Sequence, residues 1–310
     1  MDKEHQYLFV INPAAGKGKA LNSLEKIKDY LYRKKVEHHI EISEFPGHII
    51  NLVEKLSDNF THLISVGGDG TLNEVINGIN PDSNLSLGVL PLGTGNDFAR
   101  NLRLDKNIDR NLNLIFNSTT VRNFDIGSVK IKENGREINF RFINSLGIGF
   151  DALVAKLNQR SKRLNGIVSY VYAVLAGLMN YRPLDVVLNA DTVKIEGKKL
   201  LITVGNGLTS GGGFYLTPNA KIDDNLLDIC VIDHMSKLKI LRKLPLDVMN
   251  KLESAKEANF LNSEKIEIKL NTPYYVHADG EIISERASEI SVTILKNKLK
   301  NQIKKHKITK

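Results

Sequence analysis

The sequence predicts two domains: an N-terminal α/β domain with a doubly wound, Rossmann-like parallel sheet, and a larger C-terminal antiparallel β-sandwich. Two observations carry this prediction. Strand-like and helix-like runs alternate up to about residue 127, and later apolar runs are separated by glycine and asparagine. At 310 residues and 42% hydrophobic content, the chain can form two cores. We assign 1–127 to the first domain and 128–295 to the second, with 296–310 packing back on the first.

The first domain reads as a βαβ pattern. Its predicted strands are 7–11, 39–42, 63–66 and 87–90, and its predicted helices are 20–32, 49–56 and 71–77. Strands that alternate with helices form parallel sheets, whose ligands bind beyond the carboxyl ends of the strands. The loops that follow these strands are therefore expected to converge.

The second domain reads as antiparallel β structure with two helical interruptions. Its predicted strands are 129–131, 138–143, 186–188, 200–204, 226–232, 266–270 and 290–295, and the helical patches are 152–181 and 238–253. The sequence contains no internal repeat.

The positive charge is concentrated at the C-terminus. The formal charge is +8, and seven lysines between Lys296 and Lys310 supply nearly all of it. Such a tail is either a solvated chain end or a segment attracted to anionic lipid headgroups, at ~1 kcal/mol per lysine near the surface. No basic stripe with interleaved aromatic residues occurs elsewhere, which argues against nucleic acid as a partner.

Cysteine use and hydropathy predict a cytoplasmic protein. Cys230 is the single cysteine and lies in an apolar run, which favours a buried thiol. The N-terminus does not resemble a signal peptide. The longest weakly polar segment, 166–179, is shorter than the ~20 residues of a spanning helix. We therefore expect the protein to reach a membrane only from its surface.

The most informative stretch is 64–78, ISVGGDGTLNEVING. An apolar run ends in two glycines, Asp69 and a third glycine, and helix-like sequence follows. The glycines let the backbone approach a bulky anion, and no nearby side chain neutralises Asp69. This combination predicts a site for a phosphate and its metal. The competing interpretation is a tight strand-to-helix turn with Asp69 as its N-cap.

Two further glycine loops follow predicted strands. NPAAGKGKA, at 12–20, puts small residues and two lysines at a helix start, which favours an anion, but it completes neither a Walker A loop nor G-x-G-x-x-G. PLGTGNDFAR, at 91–100, places the Thr94 hydroxyl between two glycines, with Asn96 or Asp97 as a candidate N-cap. Either loop alone also fits a plain turn.

Two motifs in the second half carry carboxylates. In KIDDNLLD, at 221–228, Asp224 and neighbouring carbonyls could hold a hard cation such as Mg²⁺, and a polar turn is the alternative. HADGE, at 277–281, predicts a hairpin with Asp279-Gly280 as the turn and Glu281 just beyond it.

In order and spacing, NPAAGKGKA, GGDGTLNEVING and PLGTGNDFAR resemble the catalytic domain of the diacylglycerol kinase family, in particular its soluble bacterial lipid kinases. The similarity continues through NFD at 123–125, GGG at 211–213, KIDDNLLD and HADGE, so it covers nearly the whole chain. GGDG alone also suits NAD kinases and phosphofructokinases. Its pairing with PLGTGNDFAR is more specific.

The resemblance implies ATP and Mg²⁺ as cofactors. The implied ATP contacts are Asn12, Pro13, Ala14, Ala15, Gly16, Ser43, Gly68, Asp69, Gly70, Thr71, Leu72, Asn73, Glu74 and Thr94. Asp69 and Asp125 are implied to organise the catalytic Mg²⁺, Asp69 through water. Glu281 matches the general base that is proposed for the family.

A structural Mg²⁺ is also implied, held by the Asp224 carboxylate and the carbonyls of Lys221 and Leu226. The family usually has Asp-Gly where this chain has Asp224-Asn225. Because asparagine tolerates a left-handed backbone, the turn is expected to persist.

The reaction expected from the resemblance is ATP-dependent phosphorylation of a lipid hydroxyl in a cleft between the domains, most simply 1,2-diacylglycerol to phosphatidic acid. The alternatives are another lipid alcohol such as a sphingoid base, NAD as the acceptor, and a non-catalytic nucleotide-binding role. A lipid substrate implies peripheral association with the anionic inner face of the membrane. The expected docking face combines apolar residues 168–175, the lysine-rich tail and the cations Lys156, Arg160, Lys162 and Arg163, with an ordinary solvated helix as the alternative. A homodimer is left open.

Overall fold

The computed structural model describes residues 6–118, 120–160, 167–209, 215–248 and 252–302. The described residues form two compact units, one of 6–125 with 296–302 and the other of 126–295. Each unit contains its own cluster of buried apolar side chains.

The first unit is built from strands and helices in alternation. In chain order its elements are β1 Tyr7–Ile11, α1 Ala15–Asn22, α2 Leu24–Lys34, β2 His38–Ile42, α3 His48–Leu56, β3 His62–Gly67, α4 Asp69–Gly78, β4 Ser86–Pro91, α5 Asp97–Asn101 and α6 Ile108–Asn117. Strand β1 lies between β2 and β3, and β3 pairs with β4, all in parallel. The predicted parallel arrangement is confirmed. Helix α5 begins at the candidate N-cap that the sequence offered at Asn96 or Asp97, whereas α6 was missed.

Burial explains why these strands lack polar alternation. Every residue of β1 and β3 is buried, as expected for strands of a parallel sheet that is covered on both faces. Helix α2 buries Ile27 and Leu31 one turn apart. The predicted helix 20–32 is interrupted at Ser23, where the chain divides into α1 and α2.

The second unit is dominated by antiparallel strands. Its elements are β5 Val121–Glu133, which starts in the first unit, β6 Arg136–Phe142, β7 Ser145–Gly149, α7 Phe150–Arg160, α8 Ile167–Asn180, β8 Leu184–Ala190, β9 Val193–Gly205, β10 Leu227–Asp233, α9 Lys237–Val248, β11 Ala258–Ser263, β12 Lys265–Ala278 and β13 Glu281–Gln302. The pairings β5–β6, β7–β9, β7–β12, β8–β9, β8–β12, β9–β10, β10–β11 and β12–β13 are antiparallel, as predicted.

The pattern of burial in this unit is mixed. Strand β8 alternates buried with more exposed positions, so that one of its faces joins the core. Strand β7, by contrast, is buried at all five positions. Its sequence, SLGIG, is short and contains two glycines, which weaken the strand signal, and the prediction missed it.

Strand β13 is far longer than the predicted 290–295 and returns the chain to the first unit. Its end pairs in parallel with β4, Lys300 opposite Ser86 and Asn301 opposite Leu87. Lys298 Nζ lies 2.5 Å from Asp82 Oδ1, and this contact lowers the pKa of the Asp82 carboxyl. Two lysines of the basic tail therefore contact their own chain, because Lys300 also donates to Asn84.

Candidate active site

The carboxyl ends of four parallel strands meet at one edge of the first unit. The Asn12 N–H donates to the Val66 carbonyl at 3.1 Å, and the Ser43 N–H donates to the Ile11 carbonyl at 2.9 Å. The Leu92 N–H donates to the Gly67 carbonyl at 2.7 Å. The loops after β1, β2, β3 and β4 are thus held together by backbone hydrogen bonds.

The first glycine loop lies against the third. Gly16 has φ 60°, and a Cβ added there would lie 2.0 Å from the Leu92 carbonyl oxygen. Lys17 and Gly18 share the left-handed backbone, with φ of 60° and 88°. Asn12 Oδ1 accepts the Ala14 N–H at 3.1 Å, which fixes the start of the loop. The loop therefore has little backbone freedom.

The second and third glycine loops also touch. A Cβ on Gly93 would lie 2.3 Å from the Gly68 Cα, so only two glycines permit this approach. The Asn96 side chain closes the third loop by accepting the Gly93 N–H at 3.1 Å and donating to the Gly93 carbonyl at 2.9 Å. The predicted convergence of the three loops is confirmed.

Asp69 joins the second loop to helix α5. Its Oδ1 accepts the Asp97 N–H at 2.7 Å and lies 3.4 Å from the Phe98 nitrogen. These N–H groups belong to the first turn of α5, where an acceptor is otherwise missing. Asn96 occupies the N-cap position with φ 56° but makes no side-chain cap, and the Asp97 carboxylate pairs with Arg100. A carboxylate from another helix thus caps α5, which local sequence patterns do not reveal.

The residues after Asp69 differ in exposure. Gly70 is exposed, whereas Thr71, Leu72 and Asn73 are buried at the start of α4. Thr71 Oγ1 is buried, and the residues that the structure describes offer it no hydrogen-bond partner. Its hydroxyl therefore faces the protein interior.

The other expected ATP contacts lie in contrasting surroundings. Glu74 Oε2 accepts the Ile49 N–H at 3.1 Å in the first turn of α3. Thr94 is exposed in the third loop, while Ser43 is 8% exposed. Glu74 therefore holds α3, a role that sequence reasoning missed, and Thr94 is open to a ligand. Pro13 and Ala15 are half-buried in the first loop.

Asp125 lies at the end of the first unit on β5 and is fully buried. Its Oδ1 accepts the Asn297 N–H at 2.7 Å. Asn297 has φ 54°, a left-handed conformation that asparagine tolerates. The carboxylate thereby ties β5 to the returning strand β13.

Glu281 lies in the second unit at the start of β13, directly after the predicted Asp279-Gly280 turn. These two residues have φ of 50° and 89°, and Ala278 pairs with Glu281 across the hairpin. Left-handed conformations at both central positions are typical of the tight turn that Asp-Gly favours. Gln159 Nε2 donates to Glu281 Oε2 at 3.0 Å. The hairpin prediction is confirmed.

The expected metal turn keeps a suitable backbone. Asn225 has φ 65°, a left-handed conformation that asparagine tolerates. Asp224 Oδ1 accepts the Leu226 N–H at 3.2 Å. Among the described residues, no group of three or more His, Cys, Asp or Glu side chains could hold a metal. A metal on this turn would therefore depend on Asp224 and backbone carbonyls.

Asp228 lies beside this turn and lines a cavity of about 260 Å³ with residues from β10, β11 and 217–219. Burial, followed by the neighbouring Asp224 charge, raises the pKa of the Asp228 carboxyl to about 6. A nearby cation would favour its charged form.

Residues 6–129 match the family model described as the diacylglycerol kinase catalytic domain. Residues 144–296 match the YegS C-terminal NAD kinase beta sandwich-like domain. The "Probable lipid kinase YegS-like" of Chromohalobacter salexigens is 30% identical over 251 residues, which cover 79% of this chain and 78% of that protein. The chain belongs to the diacylglycerol kinase family. It is therefore a lipid kinase, and its second unit is the β-sandwich-like domain of this family.

Further relatives cover most of this lipid kinase. The "Diacylglycerol kinase" of Staphylococcus saprophyticus is 26% identical over 277 residues, which cover 88% of each protein. The crystal structure of a diacylglycerol kinase from Bacillus anthracis strain Sterne superposes with a TM-score of 0.72 at 24% identity, covering 98% of both chains. The last comparison shows the shared fold. Family membership implies that the lipid kinase uses ATP and a divalent metal.

The expected docking cations require a correction. Lys156 is not a surface cation: its side chain is 11% exposed, and Nζ lies 2.8 Å from Glu285 Oε2 and 4.1 Å from the Tyr275 ring centroid. Lys162 and Arg163 lie outside the described residues, as do the GGG at 211–213 and the basic tail beyond 302. In the described part of the lipid kinase, no helix has the length and apolar character to cross a membrane.

Proposed function

We propose that this lipid kinase transfers the γ-phosphate of ATP to the free hydroxyl of 1,2-diacylglycerol and forms phosphatidic acid. The observation that carries the nucleotide part is the contact of three glycine loops at the carboxyl edge of one parallel sheet. Loops of this kind present backbone N–H groups to phosphates. Adding a Cβ at Gly16 or Gly93 would close the space between the loops.

ATP is proposed to bind the first unit along these loops. Asn12–Gly16 and the Gly68–Glu74 segment would contact the phosphates and ribose, with Ser43 and the exposed Thr94 completing the site. Buried Thr71, Leu72 and Asn73 would contribute through their backbone, because their side chains face inward. Lys17 and Lys19, which are exposed beside the first loop, would add positive charge.

The divalent metal is proposed to be Mg²⁺, organised by Asp69 and Asp125. Carboxylate oxygens are suitable ligands for this hard cation, either directly or through water. When bound, Mg²⁺ supplies positive charge that offsets the negative charge of the transferring phosphoryl group. Asp69 would keep its hydrogen bonds to the first turn of α5. The backbone N–H groups of Asp97 and Phe98 therefore limit how far the Asp69 carboxylate can move.

Glu281 is proposed to be the general base. It accepts the proton of the lipid hydroxyl as the hydroxyl oxygen forms a bond to the γ-phosphorus, and the bond from phosphorus to the β–γ bridging oxygen breaks. ADP leaves with the bridging oxygen, and the phosphomonoester is released. The support is a carboxylate on a rigid turn, with Oε2 already fixed by Gln159.

The acceptor lipid has two candidates. Relatives are named both as lipid kinases and as diacylglycerol kinases, so another lipid alcohol such as a sphingoid base is the second candidate. Transfer of labelled γ-phosphate to diacylglycerol, monoacylglycerol, sphingosine, phosphatidylglycerol and NAD, each in separate assays, distinguishes these acceptors. We expect diacylglycerol to be labelled at the highest kcat/KM. A higher value for any other acceptor would overturn the assignment.

The base is tested by Glu281→Gln, which keeps the shape of the side chain and removes its charge. We expect kcat to fall ~10²- to 10⁴-fold. Glu289→Gln is the matched control, since Glu289 lies on the same strand and pairs with Lys132. Wild-type turnover by Glu281→Gln would reject the general-base role.

A second Mg²⁺ is proposed at Lys221, Asp224 and Leu226. The retained left-handed conformation of Asn225 supports it, because this conformation lets the turn present an acidic side chain between backbone carbonyls. This metal would be structural and distinct from the metal used in transfer.

The kinase is proposed to work in the cytoplasm at the surface of an anionic membrane. Tyr172, Leu175 and Met179 lie on one face of α8 and are 54%, 48% and 81% exposed. An exposed apolar stripe of this kind suits insertion into the headgroup region.

A further inference from the structure

Glu281 follows a turn whose residue Asp279 is held by hydrogen bonds to the backbone of residues 143–145. The Asp279 carboxylate accepts the N–H groups of Ile143, Asn144 and Ser145 at 2.9, 2.8 and 3.0 Å. The Asp279 N–H in return donates to the Ser145 carbonyl at 2.8 Å. A charged acceptor that receives three backbone donors holds its own backbone firmly. The residue two positions before Glu281 therefore cannot shift without breaking four hydrogen bonds.

A buried histidine holds the other half of the turn. His277 Nδ1 accepts the Gly280 N–H at 3.3 Å, so the proton of the neutral ring is assigned to Nε2. That nitrogen lies 3.5 Å from Asp151 Oδ2, which also accepts the Thr203 hydroxyl at 3.0 Å. A Cβ on Gly147 would lie 2.1 Å from this oxygen and 2.2 Å from His277 Nε2. Because Gly147 has no side chain, there is room for His277 and Asp151 to lie next to each other.

Gln159 contacts the turn and the carboxylate together. Its Nε2 donates to the Gly280 carbonyl at 3.0 Å and to Glu281 Oε2 at 3.0 Å. Asp151 and Gln159 lie in the first and last turns of α7, about 12 Å apart along the helix axis. Helix α7 thus supports the turn at two places, at one end through His277 and at the other through Gln159.

We propose that Gln159 is a positioning residue for the general base, an inference that rests on the proposed role of Glu281. A glutamate side chain has three rotatable bonds, and the turn alone fixes only its backbone. By binding Oε2, Gln159 selects one side-chain arrangement and directs Oε1 to the lipid hydroxyl. A misplacement of about 1 Å can cost a reaction ~10²-fold, so this orientation affects the rate.

Gln159→Met tests the proposal because methionine has a similar length and no N–H donor. We expect kcat to fall ~10-fold or more, while the KM for ATP stays within about twofold. Gln159→Glu places a second carboxylate against Glu281 and is expected to lower kcat further. Asn158→Met is the matched control on the same helix, since Asn158 is exposed. The thermal midpoint of each variant is measured as well, and kcat is compared among variants whose midpoints match that of the wild type.

A double-mutant cycle separates positioning from a merely structural role. If Gln159 acts through the base, Gln159→Met in the Glu281→Gln background should lower kcat less than twofold further. An equal fall in both backgrounds, or wild-type kcat for Gln159→Met, would overturn the positioning role. Wild-type kcat for Glu281→Gln would instead overturn the proposed function. The two failures are therefore distinguishable.

Discussion

The carboxylate of Asp125 accepts a hydrogen bond from the backbone N–H of Asn297, 172 positions later, with 2.7 Å between Oδ1 and nitrogen. Asp125 is fully buried, and Asn297 adopts a left-handed conformation within β13. Hydrogen bonds to an ionised acceptor are stronger than neutral ones. Asp125 therefore holds the returning strand in addition to the metal-organising role proposed for it.

Two substitutions of Asp125 separate these roles. Asp125→Asn keeps an oxygen acceptor and removes the charge, so we expect kcat to fall at least ~100-fold with about 1 kcal/mol lost from the free energy of unfolding. Asp125→Ala removes the side-chain acceptor of the Asn297 N–H altogether and should cost about 0.5–1.5 kcal/mol more. Urea unfolding and lipid phosphorylation assays measure the two effects.

The control is Asn297→Gly, which retains the N–H and suits φ 54°. Its activity and stability should stay near those of the wild type. If Asp125→Ala were as stable as Asp125→Asn, the hydrogen bond to Asn297 would contribute nothing measurable.

Gly16 and Gly18 form a matched pair within the first loop. Both have positive φ, 60° and 88°, so alanine at either position costs ~1–2 kcal/mol of backbone strain. At Gly16 the added Cβ would meet another loop, at 2.0 Å from the Leu92 carbonyl oxygen. At Gly18 none of the described residues would lie within 4 Å of it. We expect Gly16→Ala to raise the KM for ATP at least ~10-fold and Gly18→Ala to change it less than ~3-fold. Equal effects would contradict a role for loop contact.

Thr71→Val replaces a buried hydroxyl by a methyl group of similar shape, and within the described part of the chain this hydroxyl has no hydrogen-bond partner. Because an unsatisfied buried polar group costs free energy, thermal stability should be unchanged or higher. Thr71→Ser, which keeps the hydroxyl and removes the methyl, should lose about 1 kcal/mol.

The same Thr71 variants report on ATP. The KM for ATP should stay within about twofold in Thr71→Val, because the hydroxyl faces inward and only the backbone would contact the nucleotide. A tenfold increase would mean that the hydroxyl itself reaches ATP.

Mg²⁺ removal tests the proposed structural site. A ligand that binds only the folded state raises the free energy of unfolding by mass action, so Mg²⁺ should raise the thermal midpoint relative to EDTA. Asp224→Ala should abolish this shift, and Asp223→Ala, one residue away, should retain most of it. A full shift in Asp224→Ala would place the stabilising metal elsewhere.

Without metal, the free energy of unfolding should also depend on pH because of Asp228. Its folded-state pKa of about 6 lies above the ordinary 3.8, so this group favours folding below about pH 4 and loses that contribution as pH rises through about 6. Asp228→Asn in EDTA should reduce the loss between pH 4 and pH 8. An unchanged pH profile in urea unfolding would argue against a perturbed carboxyl.

Membrane docking is expected to depend on the exposed face of α8. Leu175→Glu and Met179→Glu should lower co-sedimentation with vesicles that contain anionic phosphatidylglycerol, because they place charge on the apolar stripe. Lys156→Met should leave the bound fraction unchanged and lower stability, since the Lys156 side chain is 11% exposed and its Nζ is paired with Glu285. If Lys156→Met lost vesicle binding while Leu175→Glu and Met179→Glu kept it, docking would depend on Lys156 and not on the exposed face of α8.

Local patterns were sufficient for much of the fold. Apolar runs predicted strands β1 and β3, and Asp279-Gly280 predicted the hairpin before Glu281. The patterns failed where local signals are weak, as in β7, whose five residues include two glycines. Strand β13 was predicted only at 290–295, because charged residues interrupt its apolar positions on either side of that run.

The sequence by itself determined the family, the parallel and antiparallel halves and the three glycine loops, because each depends on residues that are close together in the chain. Only the tertiary structure decided what the carboxylates contact. Asp69 caps α5, Asp125 holds Asn297, and Gln159 holds Glu281. These partners are 28, 172 and 122 positions apart, so the packing of distant elements, rather than any local spacing, determines them.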